Sequence, residues 1–253
     1  MTQARHDRRI RLLGAEMDVV TREDVFAFTI DCLEGRRRGL VANHNLHSLA
    51  LLSRTPEMAR LYALADLVEI DSMPLIAWGR LLGREVRREH RNTYLDWRED
   101  FWRIANARGW RVFHLGCRPG VGRAAVGKLS ARWPQVVLAE RDGYFDLDGP
   151  DNAVVLAEIE AFRPDVLFVG MGMPRQEQWI VANWERLPDC VIFPIGAAFD
   201  YEAGAVPTPP RWAGRLGLEW LARFLAEPGR LFHRYFIEPW SLAPAMIRDL
   251  AGR

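Results

Sequence analysis

Cysteine is scarce in this sequence. Cys32, Cys117 and Cys190 lie far apart and form neither a CxxC pair nor a Cys/His spacing typical of metal ligands. An odd number of isolated cysteines argues against a disulfide framework and against structural zinc. We therefore expect a protein of a reducing compartment, the cytosol.

Long apolar runs are also missing. The apolar stretches are interrupted within about eight or nine positions, whereas a helix that crosses a bilayer needs about 20 apolar residues. Glu16 and Asp18 interrupt the segment that would form the apolar core of a secretory signal. The sequence therefore predicts neither a transmembrane helix nor a signal peptide.

Charge of one sign is not in excess. The 34 basic and 33 acidic residues give a net charge of +1, and every basic residue except Lys128 is an arginine. Because these arginines are spread along the chain among acidic residues, we expect no nucleic-acid partner. The hydrophobic content of 49% is typical of a globular protein.

Short apolar runs alternate with segments of helical periodicity through most of the chain. This alternation predicts a Rossmann-like α/β fold, an open and mostly parallel sheet with helices on both faces. Thr21 and Asp24 have the spacing of a capping box, which predicts a helix ending at Gly35, and we expect the basic arm before it to fray. The predicted strands are 40–42, 67–70, 112–115, 136–139, 166–169 and 191–195. The predicted helices between them are 46–54, 56–64, 74–82, 94–108, 121–132, 152–162 and 176–184.

The pattern changes at Pro207, where PTPP ends the alternation. We predict an α/β catalytic domain over residues 1–206 and a helical, aromatic and basic C-terminal appendage over residues 207–253. The apolar side chains of the appendage pack on the sheet domain, on another subunit or on a membrane surface, and an amphipathic pattern does not decide among these. A homo-oligomer is left open for the same reason.

Residues that directly follow the predicted strands are the candidate ligand-binding residues. In an open parallel sheet, ligands bind at the carboxyl ends of the strands, where loops and helix N-termini converge. The candidates at these positions are Asn43, Asn45, Asp71, Gly116, Arg118, Gly120, Gly170, Gly172, Arg175, Gln176, Gly196 and Asp200.

Two glycine-rich loops follow strands. GCRPGVG at 116–122 has the glycines and the arginine to cradle a diphosphate, but a plain strand-to-helix turn explains the same spacing. The loop lacks the GxGxxG pattern that a dinucleotide-dependent oxidoreductase would need, and it lacks the lysine of a P-loop. GMGMPRQEQW at 170–179 either lines a ligand site or begins a capped amphipathic helix.

Two acidic segments have alternative interpretations. Asp71 lies at the mouth of a buried strand, where partial desolvation would make it a general base, but Asp71 or Ser72 could equally cap the next helix. Asp146 and Asp148 form an Asp-x-Asp pair, a pattern with which many sugar transferases hold a divalent ion. The pair lies between turn glycines, however, where aspartate is common because it makes local backbone hydrogen bonds. We therefore expect no metal site and no cofactor.

Three segments together resemble the WecG/TagA/CpsF glycosyltransferases, bacterial enzymes that add a sugar to a lipid-linked acceptor during surface polysaccharide assembly. They are GMGMPRQEQWI at 170–180, IGAAFDYEAG at 195–204 and PRWAGRLGLEWLARFLAEPGRL at 210–231, and the likeness extends over about residues 15–240. The resemblance implies that Asn45 and Asp71 line the active site and that Asp71 is the base. Asn43 stands where the family often has threonine.

The resemblance also implies roles for charged residues elsewhere. Arg91 and Asp96 match a segment on the acceptor side. The appendage is expected to dock at the membrane and to place arginines over a nucleotide diphosphate; its matching residues are Arg223, Arg230 and either His233 or Arg234.

The implied reaction is an inverting, metal-independent transfer of a hexose from a UDP-sugar to a polyprenyl-diphosphate-linked saccharide, at the inner face of the cytoplasmic membrane. NHNLHS and HRNTYLDW resemble the branch of the xanthan-assembly glucosyltransferase, so UDP-glucose is the first expectation for the donor. UDP-N-acetylmannosamine or UDP-N-acetylmannosaminuronate is the alternative. The alternative from another functional class is a peripheral membrane adaptor without enzymatic activity.

Overall fold

The computed structural model describes residues 8–209 and 219–252, except for the side chains of Ala226 and Arg230. The strands are β1 (Arg9–Leu12), β2 (Ala15–Asp18), β3 (Gly39–His44), β4 (Leu67–Ile70), β5 (Arg111–Gly116), β6 (Val137–Arg141), β7 (Val166–Gly170) and β8 (Val191–Pro194). The helices before the gap are α1 (Arg22–Glu34), α2 (Leu46–Leu52), α3 (Pro56–Leu64), α4 (Met73–Leu81), α5 (Tyr94–Arg108), α6 (Val121–Arg132), α7 (Pro150–Phe162), α8 (Arg175–Asn183) and α9 (Ala198–Ala203). After the gap come α10 (Glu219–Ala226), α11 (Pro228–Phe232), a π turn (His233–Ile237), a 3₁₀ turn (Glu238–Leu242) and α12 (Ala243–Ala251).

Six parallel strands form one sheet in the order β4-β3-β8-β7-β5-β6. The central strands β7 and β8 are buried along their whole length, as expected for strands covered on both faces. Their side chains alternate between two cores: Val166 and Phe168 pack with α5 on one face, while Leu167 and Val169 pack with α7 and α8 on the other. The predicted fold class is confirmed.

Local sequence signals placed several helices correctly. Thr21 and Asp24 form the predicted capping box, in which Thr21 Oγ1 accepts a hydrogen bond from the Asp24 backbone, and helix α1 ends at Gly35. The predicted ranges 56–64, 94–108 and 121–132 coincide with α3, α5 and α6. In these segments, caps and apolar periodicity agree with the tertiary packing.

The prediction that the basic arm before Thr21 frays is wrong for residues 8–20, and residues 1–7 lie outside the described residues. Strands β1 and β2 form an antiparallel hairpin whose turn, Leu13–Gly14, has the two left-handed residues of a two-residue hairpin connection. Asp18 is 3% exposed and accepts hydrogen bonds from the backbone of Val68 at 2.8 Å and from Arg9 Nε at 2.8 Å. The hairpin thereby protects the outer edge of β4.

The appendage returns to this hairpin. Asp249 on α12 accepts hydrogen bonds from the backbone of Leu13 at 2.7 Å and from Trp78 Nε1 at 2.9 Å. Leu242 and Ala245 are buried in the same cluster as the hairpin. Part of the appendage thus packs on the sheet domain, and the division at residues 206 and 207 stays a prediction.

No helix in the described ranges 8–209 and 219–252 is long and apolar enough to cross a membrane.

We predict that Asp18→Ala lowers the free energy of unfolding by about 2 kcal/mol, because it leaves a buried backbone N–H and a partly buried guanidinium without their acceptor. Chemical denaturation measures this loss. The matched control is Glu16→Ala, on the same strand but with a side chain that is 65% exposed, which should change stability little. Equal losses in the two variants would contradict the role given to Asp18.

Candidate active site

A cavity of about 480 Å³ opens at the carboxyl ends of β3, β4 and β8. The beginning of α5 forms one wall, and α10 together with residues 234–239 covers the opposite side. The predicted site residues that line it are Asn43, Asn45, Asp71, Arg91, Gly172, Gln176, Gly196, Arg223 and Arg234. The structure thus brings together residues from both parts of the chain.

Asp71 follows β4 directly and faces this cavity. Its Oδ2 accepts a hydrogen bond from Asn45 Nδ2 at 3.2 Å. Helix α4 is capped at Ser72, and no side-chain capping bond forms there. The structure therefore does not support the alternative that Asp71 caps helix α4.

Burial raises the pKa of Asp71 to about 6. The hydrogen bond from Asn45 and the positive charges of Arg91 and Arg223 act in the opposite direction, but they do not cancel the loss of hydration. A carboxylate with this pKa is mostly ionised at neutral pH and is still more basic than an ordinary aspartate. Both properties suit a general base.

Asn45 is held by the helix that it begins. Its Oδ1 accepts hydrogen bonds from the backbones of His47 at 3.0 Å and Ser48 at 3.1 Å, which leaves Nδ2 to donate to Asp71. The capping geometry of α2 therefore fixes the amide that orients the carboxylate. Asn43 is anchored separately, since its Nδ2 donates to the Pro194 carbonyl on β8 at 3.1 Å.

Arg91 joins the sheet domain to the appendage. It is 7% exposed, and its guanidinium donates to Asp96 Oδ2 at 3.0 Å and to Glu219 Oε2 on α10 at 3.0 Å. Asp96 does not line the cavity and also accepts a hydrogen bond from Thr93 Oγ1 at 3.1 Å. The expected acceptor-side pair is thus an ion pair in which Asp96 positions Arg91.

Arg223 and Arg234 extend from the appendage into the cavity wall. Burial lowers the pKa of Arg234, and the positive charge of Arg223 lowers it further. In the described part of the chain, neither guanidinium forms an ion pair with a carboxylate. Two partly buried guanidinium groups that line one cavity are suited to a ligand with two adjacent negative charges, such as a diphosphate.

The other two appendage candidates are His233 and Arg230. His233 is exposed and is not part of the cavity wall. The side chain of Arg230 lies outside the described residues.

Gln176 connects two loops of the cavity. Its Oε1 accepts hydrogen bonds from the backbones of Gly172 and Gly196, both at 3.1 Å, and its Nε2 donates to Glu177 Oε1 at 2.8 Å. The side-chain amide of Gln176, a predicted ligand-binding residue, is therefore hydrogen-bonded to protein groups. In this structure Gln176 positions the loops after β7 and β8.

None of the remaining candidates lines this cavity; they are Gly116, Arg118, Gly120, Gly170, Arg175 and Asp200. The first glycine-rich loop, residues 116–122, therefore does not form part of the cavity wall, contrary to expectation. A Cβ on Gly116 would lie 2.3 Å from the Gly170 carbonyl oxygen, and one on Gly170 would lie 2.6 Å from that of Gly196. Gly116 and Gly170 are thus required by the close approach of neighbouring loops, which is independent of any phosphate. Arg118 and Gly120 are exposed, with Gly120 at the N-cap of α6.

Arg175 and Asp200 make contacts within the protein. Arg175 donates hydrogen bonds to the carbonyls of Gly143, at 3.0 Å, and of Phe145. Asp200 Oδ2 accepts a hydrogen bond from Cys117 Sγ at 3.3 Å. We assign both residues to holding loops beside the cavity.

Glu69 and His47 are among the cavity residues that the sequence analysis did not select. Glu69 lies inside β4, where a charged residue in an otherwise apolar buried strand was the available signal. His47 was not selected because its partner is remote in sequence: Nδ1 lies 2.5 Å from Glu238 Oε2 of the appendage. This contact joins the appendage to the sheet domain, as the Arg91–Glu219 pair and the Asp249 hydrogen bonds also do.

The sequence model of the WecG/TagA/CpsF glycosyl transferase family matches residues 10–253. Among curated proteins, an N-acetylglucosaminyldiphosphoundecaprenol N-acetyl-beta-D-mannosaminyltransferase of Staphylococcus aureus strain MRSA252 is 34% identical over 142 residues, which is 56% of this chain and 55% of that protein. The protein of the same description from strain NCTC 8325 / PS 47 is 32% identical with the same coverage. The matched region spans about half the length of these relatives.

Proposed function

Because the chain belongs to the WecG/TagA/CpsF family of glycosyl transferases, we propose that it transfers a sugar from a nucleotide-sugar donor to a saccharide linked to a polyprenyl diphosphate. One observation carries this proposal. The Asp71 carboxylate, whose pKa is about 6, shares a cavity with the two partly buried guanidinium groups of Arg223 and Arg234. General-base catalysis and stabilisation of a leaving diphosphate need these two features side by side.

The proposed reaction is a single displacement. Asp71 accepts the proton of an acceptor hydroxyl, and the hydroxyl oxygen forms a bond to the anomeric carbon of the donor. The bond between that carbon and the diphosphate oxygen breaks, and its electron pair leaves with the nucleoside diphosphate. Because one displacement occurs, the configuration at the anomeric carbon is inverted.

Guanidinium groups supply the charge compensation in this proposal. Arg223 and Arg234 stabilise the negative charge that develops on the leaving diphosphate, so the proposed step needs no metal ion. Arg91 holds the appendage against the cavity through its contact with Glu219. Asn45 holds the base in its working orientation.

N-acetylmannosamine is the sugar that the relatives support best. The staphylococcal proteins are named for transfer of an N-acetyl-β-D-mannosaminyl group to N-acetylglucosaminyldiphosphoundecaprenol. No relative reported above supports UDP-glucose, the first expectation from the sequence. We therefore propose UDP-N-acetylmannosamine as donor and an N-acetylglucosaminyl-diphosphate lipid as acceptor.

A membrane surface is the proposed second partner, at the cytoplasmic face where the lipid-linked acceptor would be presented. The appendage exposes large apolar side chains, with Leu225 at 71%, Phe232 at 52% and Trp240 at 77%. Such a patch on a surface that also covers the cavity suits interfacial binding. The non-enzymatic adaptor hypothesis shares this patch but leaves the perturbed carboxylate unexplained.

We predict that Asp71→Asn lowers kcat by about 100-fold or more, because the amide cannot accept the acceptor proton, while donor affinity changes little. Release of nucleoside diphosphate from UDP-N-acetylmannosamine, with an N-acetylglucosaminyl-diphosphate lipid as acceptor, measures the rate. Asp148→Asn, at an exposed turn, is the control. Unchanged turnover in Asp71→Asn would refute the assignment of the base.

We predict that the full chain co-sediments with vesicles containing anionic lipid and that Phe232→Ser with Trp240→Ser reduces the bound fraction severalfold, because the apolar contact is lost. Raising the salt concentration should weaken binding, since basic residues contribute. Tyr144→Ser removes an aromatic ring that is 68% exposed on the sheet domain and serves as control. Equal binding by all variants would reject this face as the membrane contact.

A further inference from the structure

Glu69 occupies an inner position of the same cavity. Glu69 lies in β4, two residues before Asp71, which directly follows that strand. Its partner on the neighbouring strand β3 is Asn43. Side chains two apart on a strand share a face, so Glu69 lies on the Asp71 face of the sheet, one step further in. It is 3% exposed and contributes to the cavity wall.

The Glu69 carboxyl group is poorly satisfied by the protein. Its Oε1 is buried and has no hydrogen-bond partner within residues 8–209 and 219–252. Leaving such a group unpaired lowers the stability of the folded protein. A buried glutamate with an unpaired oxygen in a ligand-sized cavity indicates that the bound ligand supplies the missing hydrogen-bond partner.

The surroundings of Glu69 restrict the chemistry of that partner. Val41, Trp97 and Phe193 line the cavity with it and present apolar surface. Burial raises the pKa of Glu69 well above its ordinary value, and the negative charge of Asp71 raises it further. Both effects favour the protonated form of the carboxyl group, which has an O–H to donate.

A ligand group that matches the part of the cavity lined by Glu69, Val41, Trp97 and Phe193 combines a small apolar part with a hydrogen-bond acceptor. An acetamido group has both, a methyl group and a carbonyl oxygen. A hydroxyl group in the same place would satisfy the carboxyl group but would leave the apolar walls without contacts.

We propose that Glu69 is a specificity-determining residue that donates a hydrogen bond to the acetamido carbonyl of a bound N-acetylamino sugar, with the acetamido methyl group against Val41, Trp97 and Phe193. This inference rests on the proposed transfer reaction. It adds a residue that distinguishes N-acetylamino sugars from the corresponding hydroxyl sugars.

The test compares Glu69→Leu and Glu69→Gln in the full chain. Donors are UDP-N-acetylmannosamine and UDP-mannose; acceptors are diphosphate lipids carrying N-acetylglucosamine or glucose. We expect Glu69→Leu to lower kcat/KM about tenfold or more for one acetamido substrate and much less for its hydroxyl counterpart. Glu69→Gln retains an N–H donor of similar size and should keep most of the preference.

Thermal unfolding separates recognition from a structural role. Because Glu69→Leu removes an unpartnered buried carboxyl group, we expect a melting temperature at least equal to that of the wild type. Should leucine not be accommodated, Glu69→Met provides the same loss of polarity in a more adaptable side chain. If the variant loses the preference only between the two donors, the acetamido group bound by Glu69 is that of the donor. If it loses the preference only between the two acceptors, the bound acetamido group is that of the acceptor.

Two outcomes would overturn the inference. A wild type that transfers sugar while the leucine or methionine variant keeps the full acetamido preference refutes the role of Glu69 and leaves the proposed function intact. A wild type that transfers none of these sugars to any of these acceptors refutes the proposed function, and the inference with it.

Discussion

The basicity of the site depends on the desolvation of the Asp71 carboxylate. Burial disfavours the charged form, and the hydrogen bond from Asn45 and the nearby guanidinium groups restore part of the lost stabilisation. The balance leaves a pKa of about 6, which keeps the group charged at neutral pH and raises its proton affinity. A fully exposed carboxylate would be a weaker base, and one buried without these partners would be protonated.

The appendage creates this environment together with the sheet. Glu219 pairs with Arg91, Glu238 with His47, and Asp249 with Leu13 and Trp78. These contacts connect the segment after residue 218 to the sheet domain. The same segment brings Arg223 into the cavity wall. The sheet supplies the carboxylate and the appendage supplies positive charge, so neither part forms the cavity by itself.

The sequence predicted the sheet well because apolar runs, caps and turns are local signals that agree with the packing of a parallel sheet. It also located Asp71 and Asn45, since residues after parallel strands converge at one edge. It could not show that Gly116 serves close packing, because a glycine-rich turn looks the same in both roles. The packing of the hairpin on β4 and the contact between His47 and the appendage depend on partners remote in sequence, which periodicity does not report.

The most direct test of this account is an NMR titration of the Asp71 side-chain carboxyl carbon in the full chain, with Asp71→Asn used to assign the signal. The account predicts a midpoint near pH 6, and a higher midpoint in Asn45→Ala, because that variant lacks the hydrogen bond that lowers the pKa. A midpoint near 3.8, the ordinary value for an aspartate, would contradict it.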